Sequence, residues 1–234
     1  MELNKTDVLI LCGGLGTRFQ KVMSDRPKGL APVGEKPLLE LQIDDLVTQG
    51  AKRIILCVGH LHEQIVEYFK NRSDVEMEFS VEETPLGTGG ALKNAEPLLR
   101  SDPVFALNGD SLCQLSLEKF FHYHMAQHAT CSLVLSETQT GQDYGNVSLD
   151  SGGRIQSFQE KISQFGIGLI NAGIYLMQRE TFALMPKILP FSLEYDFFPK
   201  LIQSHYCFGF PVDSQLLDIG TPERYNKARW LYTK

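Results

Sequence analysis

An α/β fold, with a mixed and mostly parallel sheet flanked by helices, is what this chain predicts, on three observations. Short apolar runs of strand length alternate with longer helix-like segments from Asp7 to Ser136, a βαβ rhythm that puts parallel strands side by side and helices on both faces. Polar loops rich in glycine or aspartate follow Leu11, Glu82, Leu107 and Leu217, at the carboxyl ends of strands, where open α/β sheets bind ligands. After Glu137 the strands crowd together around the turn Asp150-Ser151-Gly152-Gly153, which reads as an antiparallel, hairpin-rich lobe.

The elements follow in order. Strands are expected at Asp7 to Cys12, Arg53 to Val58, Val75 to Glu82, Val104 to Leu107 and Thr130 to Ser136. Helices fall between them at Leu38 to Gln49, Leu61 to Lys70, Thr88 to Leu99 and Ser116 to His128. Beyond these lie a hairpin of Tyr144 to Leu149 with Ile155 to Glu160, a strand at Leu169 to Met177, and a helical stretch at Arg179 to Met185. A short strand at Leu216 to Asp218 and a helix from Pro222 close the chain.

With 234 residues, 43% hydrophobic and 21% charged, the chain is long enough to bury a sizeable core. No linker, low-complexity tract or repeat divides it, so one domain, 1–234, is expected, with a first part at 1–138 and a second at 139–234. The longest apolar runs fall well short of the roughly 20 residues that cross a bilayer, and the N-terminus lacks the features of a signal peptide. No membrane association and a cytoplasmic location are therefore expected. The formal charge of -6 argues against a nucleic-acid partner. Five dispersed cysteines without a CxxC pair indicate neither a disulfide framework nor a zinc site. His124 and His128 share a helix face, but the intervening Met-Ala-Gln and the lack of a third ligand in register make them packing or surface residues.

Gly13, Gly14 and Gly16 follow the first strand, with Arg18 at the loop's exit and Lys28 after Pro27. A dinucleotide fingerprint fails, because Phe19 stands where its third glycine belongs, and a P-loop fails because no Gly-Lys dipeptide occurs. A phosphate loop flanked by two cations remains. The second cluster, Pro85 to Gly90, follows Glu82 and precedes a helix; it is either a plain loop or a place where a flat base or sugar approaches the backbone. Asn108-Gly109-Asp110-Ser111 and Asp218-Ile219-Gly220-Thr221 each deliver an aspartate at a strand end. Each alone suits a cap or turn; together Asp110 and Asp218 suit a hard cation such as Mg²⁺. Glu160-Lys161 is either an exposed ion pair or a hydroxyl reader beside a phosphate-binding lysine.

Taken in order, LCGGLGTR, RPKGLAPVGEKPLL, EETPLGTGGA, NGDS, EK, NAGIY and DIGTPERY resemble the motifs of the sugar-1-phosphate nucleotidylyltransferase family. Within it the chain is most similar to guanylyltransferases acting on D-glycero-α-D-manno-heptose 1-phosphate, and next to those acting on mannose 1-phosphate. The resemblance implies the nucleotide-diphospho-sugar transferase fold, with 1–138 binding a nucleoside triphosphate and 139–234 a sugar 1-phosphate. It implies that Arg18 and Lys28 are catalytic, and that Leu11, Gly13, Gly14, Gly16, Thr17, Glu82, Gly87 and Asn108 bind the nucleotide. Tyr144, Gly145, Glu160, Lys161 and Asn171 would bind the sugar phosphate, and Asp110 and Asp218 the Mg²⁺. It further implies a homo-oligomer as one option and a role in capsule or cell-surface polysaccharide synthesis; a non-catalytic regulatory homologue is the rival, and the presence of Arg18, Lys28, Asp110 and Asp218 speaks against it. Cys12 and Phe19 depart from the family's common alanine and leucine; both are apolar exchanges.

On this reading the sugar phosphate brings its own nucleophile, since a phosphate monoester with a second pKa near ~6 is mostly dianionic at neutral pH. Glu82 favours GTP, because guanine presents two adjacent donors that one carboxylate accepts together.

Overall fold

The computed structural model describes residues 3–14, 16–17, 19, 23–140, 144–160 and 166–232, side chains excepted at 138–140, 160, 166 and 167. The elements run β1 (Val8–Leu11), β2 (Pro32–Val33), β3 (Lys36–Pro37), α1 (Leu38–Thr48), β4 (Arg53–Val58), α2 (His62–Phe69), β5 (Glu76–Val81) and α3 (Gly87–Ala95). They continue with β6 (Val104–Asn108), β7 (Ser111–Leu112), α4 (Leu117–Ala126), β8 (Cys131–Thr140), β9 (Gly145–Leu149), β10 (Ile155–Glu160) and β11 (Gly166–Met177). The last are α5 (Glu180–Leu184), a π-helical turn Leu193–Phe197 leading into α6 (Phe198–Ser204), β12 (Cys207–Val212), β13 (Leu217–Asp218) and α7 (Pro222–Tyr232).

β5, β4, β1 and β6 lie side by side and parallel. Their side chains divide by the two-residue period of a strand. Val8, Ile10, Ile54, Leu56, Phe105 and Leu107 face a core shared with α1, α2 and α4. Leu9, Ile55, Cys57, Val104 and Ala106 face a second core shared with α3, α5 and α6. Strands covered on both faces carry no polar alternation, which is why residues 8–11, 54–58 and 104–107 are apolar, whereas β5 at the sheet's edge alternates Glu76, Glu78 and Ser80 with apolar residues. Local chemistry sets the helix starts: α4 begins at Ser116, whose Oγ accepts from the Lys119 N–H at 3.2 Å, an N-cap that satisfies an otherwise orphaned donor.

Two expectations are corrected. The helix expected from Thr88 to Leu99 is α-helical only to Ala95 and then tightens into a 3₁₀ turn over Glu96–Leu98, because Pro97 has no N–H to continue the ladder. The expected elements also omit α6 and β12. Pro199 in the first turn of one and Gly209 and Pro211 within the other argue against regular structure, but proline is tolerated at a helix start and on an edge strand. β12 pairs in parallel with β8 at the sheet's edge.

The second half enters the first rather than standing beside it. β11 lies antiparallel between β6 and β8, so the division at 138/139 falls inside β8. The register of β11 on β8 shifts between Asn171 and Tyr175. Its first half carries the β9–β10 hairpin through Leu169 and Ile170. A third cluster, Phe19, Ala31, Val33, Leu38, Ile219, Tyr225 and Ala228, packs α7 against the loops at the carboxyl end of the sheet.

Candidate functional site

Leu11, Gly13, Gly14, Gly16, Thr17, Lys28, Glu82, Gly87, Asn108 and Asp110, all singled out in the sequence, line one cavity of about 510 Å³ at the carboxyl ends of β1, β5 and β6. The first loop leaves β1 with the Cys12 N–H donating to the Cys57 carbonyl at 2.9 Å. Gly13 sits tightly against backbone, since a Cβ there would lie 3.0 Å from the Gly59 nitrogen and 3.1 Å from the Val58 carbonyl carbon. The loop's far side is anchored by Phe19, whose ring meets Tyr225 edge-on at 5.1 Å.

Lys28 opens a 3₁₀ turn after Pro27 and its Nζ lies 2.6 Å from Asp110 Oδ2, with the lysine side chain only 15% exposed and the aspartate 43%. Gln42 builds the Asp110 loop from beneath: its Nε2 donates to the carbonyls of Asn108 (3.0 Å) and Ser111 (3.3 Å). Asn108 Oδ1 is buried without a hydrogen-bond partner, in a residue that lines the cavity. An unpaired buried acceptor is costly, and a ligand donor would relieve it.

Asp218 reaches the same place because β13 pairs with β7, Asp218 opposite Ser111, and the Ile219 N–H donates to the Asp110 carbonyl at 3.0 Å. Its Oδ1 accepts from the Gly220 N–H at 2.9 Å and faces an Arg224 guanidinium nitrogen at 3.3 Å. Its Oδ2 accepts from the Tyr144 hydroxyl at 2.6 Å, while the Arg224 guanidinium lies over the Tyr144 ring at 4.3 Å. Asp110 and Asp218 are hard oxygen donors with lone pairs to spare, so the donor set fits Mg²⁺, which takes one or two carboxylates and completes its shell with water and phosphate. No group of three or more potential metal-ligating side chains occurs among the described residues.

Glu82 accepts from the Leu86 N–H at 3.2 Å, and burial pushes its carboxyl pKa up, the backbone hydrogen bond opposing it. A carboxylate held in partly dry surroundings with one donor is poised to accept others.

The second-half residues sit differently. Tyr144 is absent from the cavity's lining and is tied to its neighbourhood through Asp218. Gly145 pairs with Glu160 at one end of the β9–β10 hairpin, and of Glu160 only the backbone is described. Asn171 spans the irregularity of β11: its Nδ2 donates to the Tyr175 hydroxyl at 2.8 Å and its Oδ1 accepts from the Gly173 N–H at 3.0 Å. Gly173 in turn presses against the Asn108 side chain. Arg18 and Lys161 lie outside the described residues.

Gln42 and Arg224 were not found in the sequence. Gln42 did leave a signal, as the one polar residue on the buried stripe Leu38, Leu39, Gln42, Ile43, Leu46 of α1. Arg224 left one too, since it stands inside the DIGTPERY segment, but only the tertiary fold brings it over Tyr144. The histidines are packing or surface residues as expected where the structure shows them: His124 is buried between Ser132 and Gln178.

Residues 7–234 match the family model for nucleotidyl transferases. A D-glycero-alpha-D-manno-heptose 1-phosphate guanylyltransferase of Aneurinibacillus thermoaerophilus is 36% identical, over 95% of this chain and 96% of its own. A mannose-1-phosphate guanyltransferase of Pichia angusta is 33% identical, over 96% of this chain and 63% of its own. The crystal structure of HddC from Yersinia pseudotuberculosis complexed with GMP-PN superposes with a TM-score of 0.86 at 33% identity, covering 97% of this chain and 99% of that one.

Proposed function

The chain belongs to the nucleotidyl transferase family, and we propose that within it the protein transfers the guanylyl group of GTP to D-glycero-α-D-manno-heptose 1-phosphate, giving the GDP-sugar and pyrophosphate. The observation that carries this reading is convergence: two glycine loops and the Lys28–Asp110 pair line one cavity, and the β13–β7 pairing with the Ile219–Asp110 backbone bond holds Asp218 beside it. The relative acting on the heptose phosphate and the neighbour complexed with GMP-PN supply the substrate classes.

The chemistry needs no general base. A phosphate oxygen of the sugar 1-phosphate attacks the α-phosphorus, and the bond from that phosphorus to the bridging oxygen of pyrophosphate breaks. Both partners are anions, so the protein's task is to align them in line and neutralise charge. Backbone N–H groups of the Gly13–Gly16 loop cradle the triphosphate, with Lys28 and Arg18 as its fixed cations. Asp110 and Asp218 would hold Mg²⁺, which when bound neutralises phosphate oxygens; Asp110 meanwhile aims the Lys28 ammonium. Glu82 accepts from the two adjacent guanine donors. Tyr144, Gly145, Glu160, Lys161 and Asn171 make up the sugar-phosphate side. Among the described residues no helix is long and apolar enough to cross a membrane, and all five cysteines are unpaired thiols. Free thiols support the cytoplasm as the place of reaction.

Pyrophosphate release measured over a grid of nucleoside triphosphates and sugar 1-phosphates with Mg²⁺ tests this. GTP with the heptose phosphate is expected to turn over fastest, and a maximum with mannose 1-phosphate replaces the heptose assignment. Silence across the grid overturns the reading.

A further inference from the structure

The loop from Pro85 to Gly90 does not stand alone. A segment more than a hundred residues later in the chain straps it down. Gly87 adopts a left-handed φ of 76°, and a Cβ there would lie 2.4 Å from the Phe191 carbonyl oxygen. That carbonyl accepts from the N–H groups of Gly89 (3.1 Å) and Gly90 (3.3 Å), while the Phe191 N–H donates to the Leu86 carbonyl at 3.0 Å. The bonds that fix the loop's first turn therefore come from outside it.

Glu194 completes the strap through side chains. Its Oε2 accepts from the Thr88 hydroxyl at 2.7 Å and from the Ser192 hydroxyl at 2.7 Å. Thr88 Oγ1, having donated to Glu194, accepts from the Leu193 N–H at 2.9 Å. With its donor and its acceptor both engaged, the Thr88 hydroxyl has one orientation, and Thr88 lines the cavity beside Glu82 and Gly87. Glu194 itself is absent from that lining. It acts through Thr88.

The same segment also reaches the other substrate's side. The Leu193–Phe197 turn runs directly into α6, where the Phe198 ring packs on Phe158 of β10 at 5.5 Å and on Tyr175 at 5.0 Å. Tyr175 is the partner of Asn171.

From this geometry we infer that Glu194 is a positioning residue for nucleotide selection: by fixing Thr88 it holds the Pro85–Gly90 loop in the shape that receives the base. The inference rests on the nucleotide-binding reading of that cavity given above. A carboxylate that only glued two segments together would affect stability and both substrates alike. One that shapes the base pocket affects the nucleotide alone.

The test measures GTP and ATP binding by calorimetry, and steady-state kinetics with each substrate varied, for the wild type, Glu194→Ala, Glu194→Gln and Thr88→Val. Glu194→Ala is expected to weaken GTP binding and raise its KM about tenfold, the scale of one charge-assisted hydrogen bond. The KM for the sugar phosphate is expected to stay within about twofold, and the ratio of GTP to ATP affinity to fall. Glu194→Gln keeps an acceptor oxygen for both hydroxyls and is expected to recover most of the loss. Thr88→Val removes the Thr88–Glu194 bond from the other side, together with the Leu193 N–H bond to Thr88, keeps the shape, and reports even where Glu194→Ala does not fold. Combined with Glu194→Ala it is expected to add little, as coupled sites do. Equal shifts in both KM values, a lowered melting point with nucleotide binding intact, or a Gln variant as impaired as the Ala variant each overturn the inference. Wild-type protein that binds no nucleoside triphosphate removes the nucleotide reading as well, which sets that failure apart.

Discussion

The two ends of the central sheet carry charge in opposite ways. At the amino ends of the parallel strands Arg53 donates to Asp7 Oδ1 at 2.6 Å, to Glu78 Oε1 at 2.6 Å and to the Leu98 carbonyl at 2.8 Å. Asp7 Oδ2 also accepts from the Ser101 N–H at 2.9 Å, and Arg100 covers Glu76 and Glu78 from outside. His124 lies at the same end, buried between Ser132 and Gln178. At the carboxyl ends Lys28 against Asp110 and Glu82 against one backbone N–H line a cavity, and Asp218 against Tyr144 and Arg224 lies beside it. The first end is closed on itself and the second is open to a ligand. Closed charge of this kind fixes how the strands come together, and open charge is available for chemistry.

That contrast can be broken by substitution. The largest effect belongs to the closed end. Arg53→Met leaves Asp7 buried without its guanidinium, and stability should fall by about 3–5 kcal/mol, the cost of removing one partner of a buried ion pair. Denaturant unfolding measures it, and turnover per folded molecule should not change. Lost turnover at unchanged stability would dissolve the distinction between the two ends.

Lys28→Ala is the converse experiment. Turnover should drop by at least ~10²-fold, the loss typical of one transition-state contact, while the midpoint of unfolding moves little, since Asp110 is 43% exposed and water replaces the ammonium.

Next is a pH effect, again at the closed end. Burial holds the His124 pKa down at about 4, against 6.5 for the free group. The unfolded chain therefore takes up the proton first as pH falls. The stability that the neutral ring contributes is complete above about pH 6.5 and fades toward pH 4, by about 2 kcal/mol between pH 7.5 and 5. Unfolding at the two pH values measures it, and His124→Gln should remove that part of the slope.

The smallest effect concerns Glu82, whose pKa burial shifts the other way. Glu82→Gln should reduce the preference for GTP over other nucleoside triphosphates by about tenfold, as a charge-assisted pair of hydrogen bonds is replaced by neutral ones. Competition between GTP and ATP reads it out, and an undiminished preference removes Glu82 as the base reader.

Most of this site was legible because its parts are local. A glycine cluster after an apolar run, or an aspartate after Leu107 or Leu217, is written in consecutive residues, and strand ends in an open α/β sheet point to one side. The parts that were not legible are those whose partners lie far away in the chain. Gln42 under the Asn108 loop and Glu194 on Thr88 are single polar residues with no motif around them, and Arg224, though inside DIGTPERY, gives no local sign that it will lie over Tyr144. β12 hid behind Gly209 and Pro211, which only an edge position excuses.

By itself, then, the sequence determined the βαβ rhythm, the apolar central strands, the two glycine loops and the pair of aspartates, because periodicity, capping and backbone freedom act between near neighbours. Only the tertiary structure decided that β11 enters between β6 and β8, that Lys28 meets Asp110, and that Tyr144 reaches Asp218. The reason is physical. A strand edge or a charged side chain can be satisfied by many partners, and packing of the whole chain selects one.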